Sequence, residues 1–396
     1  MAKNQEVKSQ VTMAENRISE ELIEEMRSKI GLKLRIDHSI FNEEATRLAI
    51  LKFADGIGDT NPLWRDKDYA AKTNYGGLVA PPSWVFSVFA GVQFGWRGLG
   101  GFHNATETEF YKPIYLNDAL YPECAYKGFE GPKASSFAES MIVDWYENEY
   151  TNQKKEVVAK AKWSVIRVER AKAREKGKYS AIQLPHPWKD EEVKKIEEEV
   201  LKEKSRGANT YFYEDVTVGQ ELEPVTKGPL GLTDEIAFLS GGGAPIPRIA
   251  AHGAALDLYK RHPAWSFRDP STHALEPIFA VHYNFEAAKA MGLPLQYDVG
   301  FQRQCWQIHL LTNWVGDKGW LKKAYAEYRQ FVYHSDVVRI TGKVTEKFID
   351  ADGDYCVKIE TKATNQRGQE VMPGYGIVAL PSKEKKVSPL DRRLRK

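Results

Sequence analysis

Cysteine is scarce in this chain of 396 residues, which has three, at positions 124, 305 and 356. No two of them are close enough for a CxxC pair, and thiols so far apart form neither a disulfide framework nor a zinc site. This usage suits a reducing compartment, so we expect a cytoplasmic protein without a bound metal.

A large net charge and a long apolar run are lacking as well. Lys+Arg number 56 and Asp+Glu 54, a formal net charge of +2, whereas a nucleic-acid binder carries a large basic excess. No stretch approaches the roughly 18 apolar residues of a membrane-spanning helix, and the polar N-terminus lacks the apolar centre of a signal peptide. We therefore expect no nucleic-acid partner and no membrane association.

The chain does have apolar material for two cores, since 42% of its residues are hydrophobic and its length exceeds that of one ordinary domain. Each half reads as a polar loop, a long apolar helix and several antiparallel strands, the order of an α+β domain whose curled sheet wraps a helix. The predicted parts are a disordered tail (1–18), an N-terminal domain (19–182), a linker helix (183–207) and a C-terminal domain (208–396) with an insertion (243–280).

Local patterns predict individual elements within these parts. Ser19 precedes an amphipathic helix, and the apolar stretch 83–98 is the central helix of the first half. Alternating residues followed by turn residues predict strands; they are 119–126, 134–146, 157–168, 337–346, 355–364 and 375–380. Gly128 to Pro132 is interpreted as a turn between the first two of these strands.

An internal repeat supports the division into halves. Residues 64–71 correspond to 282–289, and residues 112–118 correspond to 330–336. The offsets agree, because 282 − 64 = 218 and 336 − 118 = 218. Two separate matches with one offset indicate a duplication.

At these loops the sequence resembles a MaoC-like, (R)-specific enoyl-CoA hydratase duplicated in one chain. The motif of that family reads Gly-Asp-x-Asn-Pro-hydrophobic-His, and residues 58–64 read Gly-Asp-Thr-Asn-Pro-Leu-Trp, with Trp64 in place of the histidine. Residues 281–284, Val-His-Tyr-Asn, resemble the end of the motif in the second half. The resemblance covers residues 30–170 and 208–382, and it implies a tandem double hotdog with two antiparallel curled sheets, each wrapping a central helix.

The family pairs an aspartate with a histidine on one loop and polarises the thioester carbonyl at the start of the central helix. The first half keeps Asp59 as a catalytic candidate, and Asn61 and Trp64 are candidates for substrate binding. An indole exchanges no proton with water at neutral pH, so this loop alone lacks an acid/base pair. In the simpler structural interpretation, Asp59 and Asn61 shape the turn and Trp64 fills space.

The second half keeps the histidine, and the resemblance makes His282 its catalytic residue. Its carboxylate partner stays open, because Pro277 stands where the motif has aspartate. Glu276, six residues before the histidine, is one candidate; the others in the same half are Asn284 and Asp298.

Substrate binding in the second half is expected at the start of its central helix. The N–H of Val299 or Gly300 is expected to bind the thioester carbonyl, and Tyr297 precedes them. Arg303 lies near the helix start, where a cation is unfavourable unless it meets an anion. Its partner is expected to be a carboxylate or a CoA phosphate.

The sequence thus predicts a hydro-lyase that adds or removes water across the 2,3 bond of an enoyl- or 3-hydroxyacyl-CoA. CoA belongs to the substrate, and no cofactor is expected. The aromatic insertion indicates a bulky or cyclic acyl group, and a homodimer or higher oligomer is expected. Two alternatives remain, a hotdog acyl-CoA thioesterase and a non-catalytic acyl-CoA-binding or scaffold protein. The acid-free central helices disfavour the first, and Trp64 favours the second.

Overall fold

A computed structural model describes residues 15–36, 43–88, 94, 96, 98–179, 181–242 and 249–394. Residues 1–14 of the predicted tail lie outside this range. At the end of that tail, the Ile18 N–H donates to the Glu169 carboxylate at 2.8 Å, so residue 18 packs on the first half. Among the described residues, no helix combines the length and hydropathy needed to cross a bilayer.

A nine-stranded antiparallel sheet forms the frame, in the order β2-β3-β4-β1-β8-β11-β10-β9-β5. A separate two-stranded sheet pairs β6 with β7. The strands are β1 (Leu99–Phe110), β2 (Leu120–Ala134), β3 (Ser140–Asn152), β4 (Val157–Glu169), β5 (Val225–Lys227), β6 (Ser266–Arg268), β7 (Leu275–Pro277), β8 (Trp320–Glu327), β9 (Val338–Ile349), β10 (Tyr355–Asn365) and β11 (Glu370–Leu380).

The two halves share this sheet, because β1 of the first half pairs with β8 of the second from Ala105↔Glu327 to Glu109↔Lys323. The sequence predicted two sheets, one per half. Their pairing leaves neither β1 nor β8 as an open edge, which removes a row of unpaired backbone groups from solvent.

Nine α-helices accompany the sheet in the part of the chain that the structure describes. They are α1 (Glu20–Ser28), α2 (Arg47–Gly56), α3 (Lys67–Ala70), α4 (Arg170–Lys176), α5 (Asp190–Leu201), α6 (Leu232–Ser240), α7 (His252–Arg261), α8 (Phe285–Ala290) and α9 (Gly300–Val315). The Ser19 hydroxyl accepts from the Leu22 N–H and caps α1, as its sequence predicted.

Helix α9 is the central helix of the second half. Every residue from Phe301 to Val315 is buried, so the sheet and the surrounding segments enclose it on all sides. It ends at Gly316, whose φ of +66° lies in the region that favours glycine. In the first half, the prediction of one helix over 83–98 is wrong, because the 3-10 turn at Pro82–Ser87 ends at Val88, which is extended; residues 89–93, 95 and 97 lie outside the described residues.

Several strand predictions are confirmed and one turn prediction is wrong. Each predicted strand overlaps one of β2, β3, β4, β9, β10 and β11. The segment from Gly128 to Pro132 is not a turn, because β2 continues to Ala134 and absorbs the irregular residues in bulges against β3.

The duplication is visible as a twofold relation between α2 and α6. A Cβ added at Gly56 would lie 2.7 Å from the Ala237 carbonyl oxygen, and one added at Gly241 would lie 2.7 Å from that of Lys52. Helices α2 and α6 therefore correspond with an offset of 241 − 56 = 185 residues. The repeated segments that follow them correspond with an offset of 218 residues. The difference of 218 − 185 = 33 residues measures the insertion, which contains α7, β6 and β7.

Candidate active site

A cavity of about 640 Å³ lies at the amino-terminal end of α9, between the two halves. The first half contributes β1 and β4 to its wall, and the second half contributes the segment 297–303 and the loop after β8. Ala264 and Trp265 of the insertion also reach it. A second cavity, of about 50 Å³, lies beside the first-half motif.

The internal duplication relates these two cavities. Trp64 and Pro82 line the small cavity, and His282 and Gly300 line the large one; 282 − 64 and 300 − 82 both equal 218. The opposite walls of the two cavities also correspond, with the halves exchanged. Trp320 of the second half lines the small cavity, and Phe102 of the first half, 218 residues earlier, lines the large one. The protein therefore has two versions of one site, of which one is open and one is nearly filled.

His282 lies in the wall of the open cavity and is 7% exposed. Its Nδ1 is 2.8 Å from the Tyr297 carbonyl oxygen. Since a carbonyl only accepts, Nδ1 carries the hydrogen and Nε2 carries the lone pair. Burial lowers the pKa of His282 to about 4, against which the backbone acceptor at Tyr297 acts. The ring is therefore neutral at physiological pH and can accept a proton.

The candidate partners of His282 lie apart from it or are already engaged. Among the described residues, no hydrogen bond or ion pair joins the His282 side chain to a carboxylate. Glu276 lies in β7, outside the cavity wall, and burial raises its pKa. Asn284 caps α8 through its Oδ1 and donates to Asp269 at 2.6 Å.

Asp298 and Arg303 form a buried ion pair in the cavity wall. The Arg303 Nε and Nη2 donate to the two Asp298 oxygens at 2.8 and 2.5 Å, and its Nη1 donates to the carbonyls of Gln330 and Val371. The carboxylate that the sequence anticipated for Arg303 is thus Asp298. Bidentate pairing fixes both side chains and orients the segment that starts α9.

His103 lines the cavity from β1 of the first half, although its sequence position carries no motif that marks it as a site residue. Its Nε2 is 2.6 Å from the Thr106 Oγ1, and its ring centroid lies 4.4 Å from that of Phe301 and 4.3 Å from that of Tyr328. Burial, with the charge of Arg303 second, lowers the pKa of His103 to about 3. The repeat offset was the available signal, because it pairs residue 103 with Leu321.

Comparison with known proteins identifies the architecture. A family model described as "FAS1-like, dehydratase domain region" matches residues 35–161. A solved MaoC-like dehydratase superposes with a TM-score of 0.62 at 14% identity, covering 90% of this chain and 99% of that one. A putative MaoC domain protein dehydratase from Chloroflexus aurantiacus gives a TM-score of 0.54 at 12% identity, covering 89% and 96%.

This chain has the fold of these MaoC-like dehydratases, a double hotdog. A UPF0336 protein of Thermobifida fusca is 48% identical over 40 residues, which are 10% of this chain and 26% of that protein. One of Streptomyces avermitilis is 38% identical over 45 residues, 11% and 30% of the respective lengths. The chain thus matches less than a third of the length of these curated relatives.

In the first hotdog, a buried polar cluster surrounds the motif aspartate. Asp59 accepts from the Asn61 N–H at 2.9 Å, and its Oδ1 lies 3.3 Å from Nε2 of His309, which belongs to α9 of the other hotdog. The same Nε2 is 2.6 Å from Glu203 at the end of the linker, and Lys227 lies 3.4 Å from Glu203. Neither Asp59 nor His309 lines either cavity.

The other two first-half candidates take part in the local fold. The Asn61 Oδ1 accepts from the Leu63 N–H at 3.0 Å and caps the short 3-10 turn that contains Trp64. The Trp64 side chain is 3% exposed and borders the small cavity. The indole is larger than the imidazole of His282 at the corresponding position, so it fills a part of the difference in volume between the two cavities.

A buried carboxyl group lies behind the second hotdog motif. Glu235 of α6 is fully buried, and among the described residues neither of its carboxyl oxygens has a hydrogen-bond partner. Burial raises its pKa well above the ordinary value, with the charge of Asp298 next. With the α6 offset, its counterpart is Ile50, since 235 − 185 = 50. Burial therefore favours the protonated form of Glu235, and the residue does not line the cavity.

Asp350, Asp352 and Asp354 form a carboxylate cluster on the turn between β9 and β10. The ammonium of Lys322 lies among them, 3.0 Å from both Asp352 and Asp354, and Arg393 pairs with Asp354 at 2.6 Å. Cationic side chains thus fill the centre of this cluster, and it lies outside both cavities.

Proposed function

We propose that this double hotdog is a hydratase or dehydratase acting on an acyl-CoA thioester, with His282 as its acid/base. The observation that carries the proposal is the open cavity at the start of α9, with a neutral imidazole in its wall. The dehydratase region matched in the first half supports the same class of reaction. CoA enters as part of the substrate.

In the proposed reaction, one side chain takes a proton from water and later returns it to the substrate. Nε2 of His282 takes a proton from water while the water oxygen bonds to C3 of the enoyl thioester. The electron pair of the 2,3 double bond moves toward the thioester oxygen, where N–H groups at Val299 and Gly300 stabilise the negative charge. The imidazolium then returns its proton to C2. The reverse sequence removes water from a 3-hydroxyacyl thioester.

The acyl group is proposed to be bulky or cyclic, because aromatic rings line the cavity beside His282. The ring centroid of His282 lies 4.6 Å from that of Tyr297, and the Tyr297 centroid lies 4.9 Å from that of Phe331. Phe331 in turn meets Phe102 at 5.4 Å and Tyr179 at 5.4 Å. Flat or branched apolar groups bury well against such surfaces.

The test is the loss of 240 nm absorbance when the protein is mixed with short, branched, cyclic and aromatic enoyl-CoAs. Removing a positioned acid/base group lowers rates by about 10²- to 10⁴-fold, so His282→Ala and His282→Gln should lose most of the activity. His186→Ala is the control, because His186 lies outside the cavity wall. The proposal is contradicted if the protein hydrates none of these compounds, or if His282→Ala keeps full activity.

A non-catalytic acyl-CoA-binding protein is the second candidate, favoured by the separation of His282 from the carboxylates. It predicts tight binding of the same compounds without turnover. A thioesterase is disfavoured because Asp298, the carboxylate in the described cavity wall, is already neutralised by Arg303. Release of free thiol from acyl-CoA would support that activity instead.

A further inference from the structure

The two versions of the site serve as an internal comparison. At six positions related by the offset of 218, the filled cavity has an apolar side chain where the open cavity has a polar one, whereas Asn61 and Asp317 of the filled cavity correspond to Phe279 and Leu99 of the open one. The pairs, filled cavity first, are Trp64 and His282, Val79 and Tyr297, Ala80 and Asp298, Val85 and Arg303, Phe110 and Tyr328, and Leu321 and His103. The proposed function gives His282 a role, and Asp298 and Arg303 neutralise each other. The proposed function assigns no role to His103.

His103 lies against the start of α9, where the thioester carbonyl is proposed to bind. A Cβ added at Gly300 would lie 2.7 Å from its Nδ1, so the glycine permits this close approach. The rings of Phe301 and Tyr328 contact the imidazole, and the contact with Thr106 occupies Nε2. The nitrogen that faces the beginning of α9 is therefore Nδ1.

We propose that His103 donates a hydrogen bond from Nδ1 to the thioester carbonyl oxygen, so that the site is assembled from both hotdogs. This proposal rests on the proposed function for the identity of the ligand. It requires one tautomer, in which the Thr106 hydroxyl donates to Nε2 and Nδ1 carries the hydrogen. Donation by a fixed neutral group stabilises the developing oxyanion without reorganisation during the reaction.

Neutrality of His103 fits this role. Burial disfavours the imidazolium, and the nearby Arg303 adds repulsion between like charges; together they outweigh a backbone contact with Ala105, which favours the charged form. A neutral ring donates one hydrogen bond and keeps its proton, whereas an imidazolium would compete with His282 for control of the proton at C2. His103 and His282 thus divide the work, one at the carbonyl oxygen and the other at the reacting carbons.

The experiment compares the wild type with His103→Leu, the residue of the filled copy, and with Thr106→Val, which removes the group proposed to fix the tautomer. The kinetic readout is hydration at 240 nm. Loss of one oxyanion donor lowers kcat by about 10²- to 10³-fold, so His103→Leu should show such a loss with KM nearly unchanged. Thr106→Val should show a smaller loss.

The second readout is independent of turnover. The infrared carbonyl band of 3-phenylpropanoyl-CoA, labelled with ¹³C at the thioester carbon, should move to lower frequency on binding the wild-type protein. In His103→Leu the bound band should lie at higher frequency than in the wild type, with Thr106→Val between them. Identical bands in the wild type and His103→Leu overturn the proposal, even where hydration proceeds.

The two proposals fail separately. If the wild type hydrates no enoyl-CoA but shows the His103-dependent band shift, the hydratase function is wrong and the carbonyl contact stands. If hydration depends on His282 but not on His103, the contact is wrong and the function stands. Should His103→Leu fail to fold, a wild-type carbonyl band in Thr106→Val overturns the contact.

Discussion

A histidine that is neutral in the resting protein can act as a base over a wide pH range. The pKa of His282 lies at about 4 because burial disfavours its charged form, whereas an exposed histidine titrates near 6.5. The base must be unprotonated to accept a proton from water. We therefore expect kcat/KM for hydration to stay level from about pH 8 to about pH 5 and to fall below that.

This pH profile is measured as kcat/KM between pH 4 and 8, with circular dichroism at each pH to confirm that the protein remains folded. kcat/KM reports ionisations of the free enzyme, which is the state described by the structure. A break near pH 6.5 would mean that the working base has an ordinary histidine pKa and is not His282 in its buried setting.

At the scale of elements, a contact just beyond the linker helix α5 joins the linker to the second hotdog. Glu203, just beyond α5, meets His309 of α9 at 2.6 Å and Lys227 of β5 at 3.4 Å. Burial works against the ionised Glu203, but His309 and Lys227 outweigh it, so its pKa is lowered. Its charge therefore stabilises the folded state above the carboxyl pKa of the unfolded chain, and this stabilisation is lost as pH falls through the lower folded-state pKa.

Glu203→Gln should accordingly lower the free energy of unfolding by about 1–3 kcal/mol at pH 7, since it leaves the buried Lys227 with a weaker partner. The matched control is Glu199→Gln, on α5 itself. The pair of Glu199 with Arg339 is 40% exposed on both sides and should be worth at most about 1 kcal/mol. Urea unfolding at pH 7 and at acidic pH measures both. Equal losses in the two variants would show that the Glu203 contact is only a surface ion pair.

At the scale of the whole molecule, the sequence predicted the architecture better than the site. Strand alternation, the repeat offset and the family motif each depend on residues close together in sequence, and all point to the double hotdog that the structure has. The contacts of the site depend on the packing of one half on the other. His103 of β1 reaches the cavity of the second half, and His309 of α9 reaches the motif of the first, over separations that no local pattern contains.

The carboxylate partner of His282 shows the same limit. Counting residues back from the histidine suggested Glu276, but the insertion places that residue in a separate hairpin with β6. Arg303 was predictable to the extent that a cation near a helix start needs an anion, and the structure supplies Asp298 five residues away. That pair forms between neighbours in sequence, because Asp298 directly precedes the N-cap of α9 and Arg303 lies in its first turn, whereas the fold of the insertion determines the position of Glu276.

The asymmetry of the duplicated molecule leads to a last prediction, that restoring the family motif in the first hotdog does not restore a second site. In Trp64→His, the motif would read in full, yet Asp59 would remain engaged by the Asn61 N–H and close to His309. The neighbouring cavity of about 50 Å³ would gain only the difference between an indole and an imidazole. His282→Ala combined with Trp64→His should therefore hydrate no faster than His282→Ala alone, with thermal unfolding confirming that both fold. Recovery of a substantial part of the wild-type rate would show that position 64 alone had silenced the first hotdog, and that the Asp59 cluster is no obstacle to catalysis.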